Sequence, residues 1–434
     1  MKYTIQILLV LILFLGCNSQ TTDENIKPSS PTDKYRLIWN DNPQTTMTVG
    51  WNQKRGKGVV FYGLNRDMNN SIAPTRNVNF RGMKNSFARL KKLKPNSRYY
   101  FKICTENNCS ELMYFKTAPK NNKAFTFISG GDSRSIPRGR IQGNILVSKI
   151  RPLFIAHGGD FTMKGSSEEW QRWLDEWQLT KSPDGRIYPL IVTHGNHENG
   201  DREMLYNLFD VPSKDVYYKI NFPLLSLYIL NTELEPSVAK YAFKTRDPQK
   251  WNEQKKWLKE RLKVDKKLWK IISYHRPLRP HRASKSEGKL RYSDWAWLFY
   301  NHGVQLAIES DSHLVKYTQP LKPDKKGEEG FVVDKKRGTT YIGEGSWGAP
   351  TRVNDDDKSW TLDSGSFWQF KLITVDVNRL EIRTVKFGDE DSDYDAKSVN
   401  STLQEAQNKN PKIIPNNLDL WKSKAGEVLM IKSI

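Results

Sequence analysis

The amino-acid sequence predicts two domains in succession, an N-terminal all-β sandwich and an α/β domain of layered sheets flanked by helices. Three observations lead to this fold class. The length of 434 residues exceeds the usual size of one domain. Residues 34–119 contain short alternating apolar runs without a helical period, which is typical of antiparallel strands. In residues 122–388, buried apolar runs alternate with helical segments, which indicates an α/β arrangement.

The N-terminus has the composition of an export signal. One early lysine precedes an apolar run that is too short for a comfortable membrane span. The run ends in LFLGC, which resembles a bacterial lipoprotein signal, so residues 1–16 are expected to be removed and Cys17 to receive lipid. Asn18 follows, as in lipoproteins released to the outer membrane. The polar residues 17–33 are then expected to form a flexible tether.

The charge balance is strongly basic. Lys and Arg number 69 against 48 Asp and Glu, which gives a formal net charge of +21. This excess indicates an acidic partner, such as a phosphorylated or polyanionic substrate or anionic lipid. The lysines also occur in runs such as EQKKWLKERLK, which are typical of solvated helix faces. No basic arm or nucleic-acid motif accompanies them, so no nucleic-acid partner is expected, and the oligomeric state is not indicated.

Residues 34–119 carry the pattern of a small antiparallel sandwich. Within it, Cys104 and Cys109 flank a polar tip between two apolar runs, so they are expected to form a disulfide across a hairpin in an oxidising compartment. A zinc site is not favoured, because no second cysteine pair completes four ligands. The runs TMTVGW and YYFKI resemble a fibronectin type III domain, and the segment is interpreted as a spacer or packing partner.

Two helices of the α/β domain are predicted from residue spacing. Residues 166–179 place three tryptophans and a leucine at helical intervals, and Ser166 with Glu169 fits a capping box. These tryptophans are interpreted as core rather than as a platform for sugars. The second helix runs through residues 248–262, with Asp247 as its N-cap and a proline in its first turn.

Five apolar runs of the second domain end directly in acid, histidine or asparagine. They are FTFISGGDSR, LFIAHGGDF, YPLIVTHGNHE, KIISYHRP and VQLAIESDSH. Ligands of open α/β sheets gather beyond the carboxyl ends of the strands, so these ends are expected to converge on one sheet edge. The convergence would assemble Asp132, Asp160, Asn196, His197, His275, Asp311 and His313. Carboxylates, imidazoles and an amide suit hard or borderline divalent metals, and the lack of a thiolate excludes a soft-metal site.

Each of these strand ends alone is typical of an ordinary turn or helix cap, but their succession is not. The order GD, GD, GNHE, H and x-H resembles the calcineurin-like metallophosphoesterase superfamily over about residues 125–387. With a fibronectin-like domain in front, the chain is similar to purple acid phosphatases and their bacterial relatives. The segments WNEQKKWLKERL and GTTYIGEGSWGAP stand where that family has a helix and a glycine-rich loop.

The resemblance implies a dinuclear centre of Mn, Fe or Zn in which Asp160 bridges both ions. Asp132 and His313 would ligate the first ion, and Asn196 and His275 the second. Such a pair of ions generates a hydroxide near neutral pH and clamps the phosphoryl oxygens.

Two further residues of the GNHE motif receive roles from the same resemblance. His197 would face the substrate, as proton donor to the leaving oxygen or as a partner of the phosphoryl group. Glu198 would orient the His197 ring.

Three positions depart from the pattern of the family. Arg134 stands where many members have a histidine ligand, and its guanidinium could hold a phosphate oxygen instead. Met163 replaces the ligating tyrosine of purple phosphatases, so their colour is not expected. Asp311 replaces the first histidine of Gly-His-x-His. An aspartate there either shifts the metal preference toward Mn²⁺, Mg²⁺ or Fe over Zn²⁺, or leaves the second ion weakly held.

The sequence therefore predicts an exported, lipid-anchored phosphoesterase that hydrolyses phosphate monoesters. A phosphodiesterase or nucleotidase on the same site is the first alternative, because one scaffold hosts all of these activities. A non-catalytic protein that binds polyanions on a degenerate metal site is the second. Residues 389–434 form a C-terminal extension without a predicted role.

Overall fold

The structure is a computed structural model that describes residues 30–198, 201, 203–236, 247–401 and 413–433. The predicted signal peptide and the predicted lipidation site Cys17 lie outside the described residues, as does nearly all of the tether. Among the helices of the described part, none combines the length and the apolar character needed to cross a membrane.

The N-terminal domain is built from strands, as predicted. In chain order from residue 30 they are β1 (Thr32–Ile38), β2 (Met47–Gln53), β3 (Val59–Gly63), β4 (Asn70–Ile72), β5 (Arg76–Phe80), β6 (Met83–Leu90), β7 (Arg98–Cys104) and β8 (Met113–Lys116). They are arranged in the orders β1-β2-β6-β5 and β4-β3-β7-β8, with antiparallel pairing inside each group. Trp51, Val60 and Phe101, which come from both groups, are fully buried in one core. A β-rich N-terminal domain is confirmed, while its likeness to fibronectin type III stays a prediction.

The predicted disulfide between Cys104 and Cys109 is present. The two cysteines also pair as an isolated antiparallel bridge at the end of β7. The disulfide thus closes a hairpin tip in the N-terminal domain.

The second domain alternates strands and helices. Its described elements are β9 (Phe125–Gly130), α1 (Pro137–Ile150), β10 (Ile155–His157), α2 (Ser167–Trp177), β11 (Pro189–Val192), α3 (Met204–Phe209), β12 (Tyr218–Asn221), β13 (Leu225–Ile229), α4 (Pro248–Val264), β14 (Trp269–Ser273), α5 (Lys289–Arg291), α6 (Trp297–Asn301), β15 (Leu306–Ile308), β16 (Val315–Thr318), β17 (Leu321–Pro323), β18 (Phe331–Val333), β19 (Thr340–Gly343), β20 (Thr361–Gly365), β21 (Gln369–Val375), β22 (Arg379–Lys386) and β23 (Leu429–Lys432). A π-helical turn, Tyr292–Ala296, joins α5 to α6.

The helices α2 and α4 form where their caps and spacing predict them. Ser166 caps α2 and completes the capping box with Glu169, and the tryptophans of α2 are buried in the core. Asp247 caps α4 by accepting a hydrogen bond of 3.0 Å from the Lys250 amide. The helix α4 extends two residues beyond its predicted end at Leu262.

The largest sheet of the described chain has ten strands and spans both domains, in the order β23-β22-β21-β9-β10-β11-β1-β2-β6-β5. Its centre is parallel, with β10 between β9 and β11. The first strand of the N-terminal domain joins it through a parallel pairing of β1 with β11. At the other edge, β23 pairs with β22, so the C-terminal extension contributes the last strand. The N-terminal domain is therefore a direct continuation of the sheet that carries the first three polar strand ends.

A second sheet of the described residues has seven strands in the order β12-β13-β14-β15-β19-β16-β20. The expectation that all five polar strand ends meet on one sheet edge is wrong. The strands β9, β10 and β11 belong to the large sheet, whereas β14 and β15 are parallel neighbours in the second. The ends still meet, because His275 Nδ1, after β14, donates a hydrogen bond of 2.8 Å to the Gly158 carbonyl after β10. The site thus lies between two sheets.

Candidate metal centre

The loops after five parallel strands hold the predicted ligands in backbone conformations that are unusual for residues with side chains. Four of them have a positive φ: Asp132 (58°), Asp160 (57°), Asp311 (71°) and His313 (59°). Left-handed backbone is costly outside glycine and accumulates at functional sites, where the surroundings hold it in place. Here the Asp311 amide donates to Asp132 Oδ2 at 2.9 Å, and the His313 amide donates to the Glu344 carbonyl at 2.8 Å.

The ligand side chains form two groups that share one carboxylate. In the first group, ligand atoms of Asp132, Asp160 and His313 lie within 4.8 Å of one another. In the second, atoms of Asp160, His275 and Asp311 do the same. All members are buried. Two adjoining groups that share an aspartate are the arrangement a dinuclear centre with a bridging carboxylate requires.

Asn196, the predicted amide ligand, lies beside the second group. Its Oδ1 is 3.1 Å from His275 Nε2. It opens a 3₁₀ turn, Asn196–Glu198, that follows β11. Gly195 precedes this turn because a Cβ there would collide with Asp160 Oδ1, so the glycine lets the turn approach the shared carboxylate.

The donor atoms fit metal ions. Asp132 Oδ1 and Asp160 Oδ2 are buried, and neither has a hydrogen-bond partner of good geometry among the described residues. A buried carboxylate oxygen without a partner is costly, and metal coordination removes that cost. The donors are carboxylate oxygens, imidazole nitrogens and an amide oxygen, which suit Mn, Fe or Zn.

The pKa values of the predicted ligands depend on the charges of their neighbours in the site. Burial opposes charge on His275, but Asp160, Asp132 and Asp311 more than offset this and raise the pKa of His275 to about 10. Burial likewise opposes charge on Asp160, yet His275, His197 and Arg134 hold the pKa of this carboxyl well below its usual range. An imidazole must be neutral to bind a metal, so a metal ion beside Asp160 would displace the proton from His275.

His313 is already suited to coordination. Burial lowers the pKa of its ring, against the opposing effect of Asp132. Its Nδ1 lies 3.0 Å from the Pro350 carbonyl, which leaves Nε2 facing Asp132 Oδ1 at 3.3 Å. A backbone carbonyl behind a ligating imidazole fixes its tautomer and orientation.

His197 faces the two ligand groups from the solvent side. Its backbone amide donates to Asp160 Oδ1 at 2.8 Å, and its Nδ1 donates to the Met163 carbonyl at 2.7 Å. Its Nε2 is consequently turned toward the centre and lies 3.8 Å from Asp160 Oδ2. About a fifth of the side chain is exposed, so a bound substrate could reach this nitrogen.

The prediction that Glu198 orients the His197 ring is wrong. The Glu198 carboxylate is fully buried and accepts three backbone N–H bonds instead, from Asp160 at 3.2 Å, Phe161 at 3.1 Å and Gly195 at 2.5 Å. The tight turn points its side chain inward, away from the ring beside it in sequence. Glu198 therefore fastens the loop after β10 to the loop after β11, and the Met163 carbonyl orients His197.

Arg134 lies against the first ligand group. Its Nε is 3.4 Å from Asp160 Oδ2, one terminal nitrogen is 3.3 Å from His313 Nε2, and the other donates to Met163 Sδ at 3.1 Å. The guanidinium is thus close enough to the centre to contact a phosphate oxygen bound there.

The sequence analysis missed two cations that contact Asp311. Lys285 Nζ lies 2.7 Å from Asp311 Oδ1, and Arg352 donates to the Asp311 carbonyl at 3.1 Å. Burial would raise the pKa of Asp311, but Lys285, Arg276 and His275 hold it well below its usual range. Both missed residues are in loops and no motif marks them. In a chain with 69 Lys and Arg, the sequence offered no signal that could have found them.

Comparisons with known proteins agree with this geometry. Residues 32–117 match the N-terminal domain of purple acid phosphatases, and residues 140–314 match the calcineurin-like phosphoesterases. The second match contains all the predicted metal ligands except Asp132. No curated protein matches the chain at the level of sequence.

Two solved structures share the fold. A purple acid phosphatase isolated from yellow lupin (Lupinus luteus) seeds superposes with a TM-score of 0.67 at 17% identity, over 82% of this chain and 72% of that chain. PhoD superposes with a TM-score of 0.63 at 10% identity, over 94% of this chain and 93% of that chain. The two domain matches identify residues 32–117 as an N-terminal domain of the purple acid phosphatase type and residues 140–314 as a calcineurin-like phosphoesterase domain, and both superpositions agree with this fold.

Proposed function

We propose that this protein is an exported, lipid-anchored phosphatase that hydrolyses phosphate monoesters at a dinuclear metal centre. The observation that carries the proposal is the pair of buried ligand groups that share Asp160. Two bound ions would act as Lewis acids toward the phosphoryl oxygens and lower the pKa of a bound water. Asp132 and His313 would hold the first ion, and His275, Asn196 and Asp311 the second.

The remaining residues of the centre support binding and proton transfer. His197 directs Nε2 at the centre while the Met163 carbonyl holds its Nδ1 proton, which suits a donor to the leaving oxygen. Arg134 adds a planar cation for a second phosphoryl oxygen. Glu198 keeps the loops of Asp160 and Asn196 at a fixed separation.

The metals proposed are Mn or Fe in preference to Zn. The second group contains the carboxylates of Asp160 and Asp311, so it is richer in oxygen than a site with a histidine in place of Asp311. Oxygen ligands favour harder ions.

Metal content and substrate choice test the proposal together. The full chain is loaded with Mn²⁺, Fe²⁺ or Zn²⁺, its metal is counted, and turnover is measured on aryl phosphate monoesters and diesters, for the wild type and Asp160→Asn. Two ions per chain, with monoester turnover that disappears in the variant, are expected. Faster turnover of diesters supports the phosphodiesterase alternative. If the protein takes up no metal and hydrolyses none of the esters, both the phosphatase and the phosphodiesterase proposals are contradicted. The remaining alternative is then a non-catalytic protein that binds polyanions.

Lipid anchoring has its own test, because it rests on the sequence LFLGC alone. In bacterial cells the mature chain is expected in the membrane fraction with a lipidated Cys17 at its N-terminus, as read by mass spectrometry. Cys17→Ser is expected to move the protein out of that fraction. A wild-type chain that retains residues 1–16 in soluble form would contradict this part of the proposal.

A further inference from the structure

The second ligand group already contains a cation supplied by the protein. Lys285 Nζ lies 2.7 Å from Asp311 Oδ1, and His275 Nε2 lies 3.7 Å from the same oxygen. The Asp311 oxygen that lies near His275 in this ligand group is therefore paired with an ammonium group. A divalent ion placed beside that oxygen is repelled by Lys285 at close range.

Lys285 reaches this oxygen from the solvent-facing edge of the site. It lies between β14 and α5, in a loop where its own amide donates to the Arg282 carbonyl at 2.9 Å. The Arg282 side chain in turn pairs with Asp355 at 2.7 Å. The Lys285 side chain is 23% exposed while that of Asp311 is 6% exposed. Its backbone is thus held, whereas the end of its flexible side chain can turn toward solvent or toward a ligand at the centre.

The neighbouring cations Arg276 and Arg352 bind groups other than the Asp311 carboxylate. Arg276 makes two hydrogen bonds, of 2.7 and 3.1 Å, to the buried carboxylate of Glu233. Arg352 donates to the backbone of Asp311 rather than to its carboxylate. Lys285 is therefore the cation that metal binding at Asp311 would release.

We propose that Lys285 is a substrate-binding residue that exchanges partners. It is the counter-ion of Asp311 until the second metal ion binds, and it then turns to an oxygen of the phosphoryl group at the same edge of the site. This inference rests on the proposed function, because it concerns the same centre and the same anion. It requires two opposite effects of one side chain. Lys285 lowers the affinity of the centre for the second metal ion and raises its affinity for phosphate.

The first test measures metal binding without substrate. The full chain is stripped with a chelator and titrated calorimetrically with Mn²⁺, as wild type, Lys285→Met, Lys285→Arg and Lys289→Met. Methionine retains most of the length of the lysine side chain and removes its charge. Lys289 is an exposed lysine of the same segment and serves as the matched control. The weaker of the two ions is expected to bind about tenfold tighter in Lys285→Met, a modest coupling between sites, and unchanged in the other two variants.

The second test measures the anion. With both metal sites saturated, inorganic phosphate is titrated into the same four proteins, and its dissociation constant is expected to rise about tenfold in Lys285→Met only. Lys285→Arg, which retains the charge, guards against a variant that merely folds poorly. Unchanged or weaker metal binding in Lys285→Met overturns the exchange, and so does unchanged phosphate affinity. If the wild type hydrolyses no ester, the proposed function fails, but the metal titration still decides whether Lys285 competes at Asp311.

Discussion

Asp160 in the metal centre and Asp210 at the junction of the two domains are both completely buried carboxylates, yet their surroundings differ. Asp210 follows α3 as its C-cap and accepts two hydrogen bonds of 2.7 Å from Arg89 of β6, with further contacts from Arg76 of β5 and from Asn40. Asp160 Oδ2 has no hydrogen-bond partner of good geometry among the described residues, and its nearest cation, Arg134, is 3.4 Å away.

The difference separates a structural carboxylate from one prepared for a ligand. The arginines of the N-terminal domain neutralise Asp210 and fill its lone pairs, so it fastens one domain to the other. Asp160 keeps one buried oxygen without a hydrogen-bond partner among the described residues, and a bound cation would satisfy that oxygen. Burial alone does not distinguish the two carboxylates. They differ in how many hydrogen-bond and ion-pair partners the protein provides for their oxygens.

The largest effect is expected from a substitution on the metal side of this comparison. Asp132→Asn removes a ligand charge whose Oδ1 also lacks a partner in the described chain. Hydrolysis is expected to fall by at least about 1,000-fold, more than the loss of a single donor to the transition state costs. Metal content is expected to drop below two ions per chain, while the midpoint of chemical unfolding of the metal-free protein stays close to that of the wild type. A variant that retains two ions and full activity would show that Asp132 is not a ligand.

The corresponding substitution at the domain junction is expected to act on stability. Asp210→Ala leaves Arg76 and Arg89 without their shared carboxylate partner, and the side chains of these arginines are 17% and 38% exposed. Breaking a buried ion pair costs about 3–5 kcal/mol, and because the arginines are partly exposed the expected loss is about 3 kcal/mol. Urea unfolding measures it. Glu203→Ala, which removes an exposed ion pair with Lys214, is the control and is expected to cost less than about 1 kcal/mol.

The metal content per folded chain of Asp210→Ala tests whether the domain junction also affects the metal centre. It is expected to be unchanged in Asp210→Ala, because the junction contributes none of the ligands. Loss of metal in parallel with loss of stability would mean that the junction positions the centre as well.

Glu198→Gln tests a residue that has features of both regions. Its carboxylate is saturated like that of Asp210, but the groups that saturate it are the backbone amides of the ligand loops. Glutamine offers one oxygen for three N–H donors, so the loops are expected to lose alignment and metal affinity to fall about 10- to 100-fold. Metal titration measures this. Turnover at saturating metal is expected to recover most of its wild-type value, and a permanent loss would give Glu198 a role in catalysis.

The smallest effect is expected from pH acting on a third saturated carboxylate. Asp265 accepts hydrogen bonds from the Tyr228 hydroxyl at 2.6 Å and the Lys267 amide at 2.9 Å, and it pairs with Lys219 at 2.9 Å. Burial by itself would raise the pKa of Asp265, but these partners lower it to about 2 from an ordinary value of 3.8. Because the folded pKa is the lower one, the stabilisation of about 2 kcal/mol is complete above pH 4 and lost as the pH falls toward 2.

Unfolding of the wild type and Asp265→Asn at a series of pH values measures this linkage. The difference in free energy of unfolding between the two proteins is expected to shrink between about pH 4 and about pH 2. Asp41→Asn, which removes an exposed carboxylate, is the control and is expected to leave the free energy of unfolding nearly unchanged. A constant difference for Asp265→Asn would mean that this carboxyl has an ordinary pKa in the folded protein.

Local patterns were enough to predict several elements. Ser166 with Glu169 predicted the start of α2, and Asp247 predicted the start of α4, because the side chain of the cap residue accepts a hydrogen bond from the backbone amide three residues later. The disulfide followed from two cysteines beside a polar tip. Each of these features involves neighbours in sequence, and so the sequence contains all the information they need.

By itself the sequence determined the order of the domains and the residues that end the five polar strands, because alternation of apolar runs and turn chemistry is local. The tertiary structure alone decided that those strands belong to two sheets, that β1 extends the sheet of the metal centre, and that Glu198 binds loop amides instead of His197. It also decided that Lys285, one of many similar lysines, is the one that contacts Asp311. Pairings between residues far apart in sequence depend on the packing of the whole chain, and no local pattern encodes them.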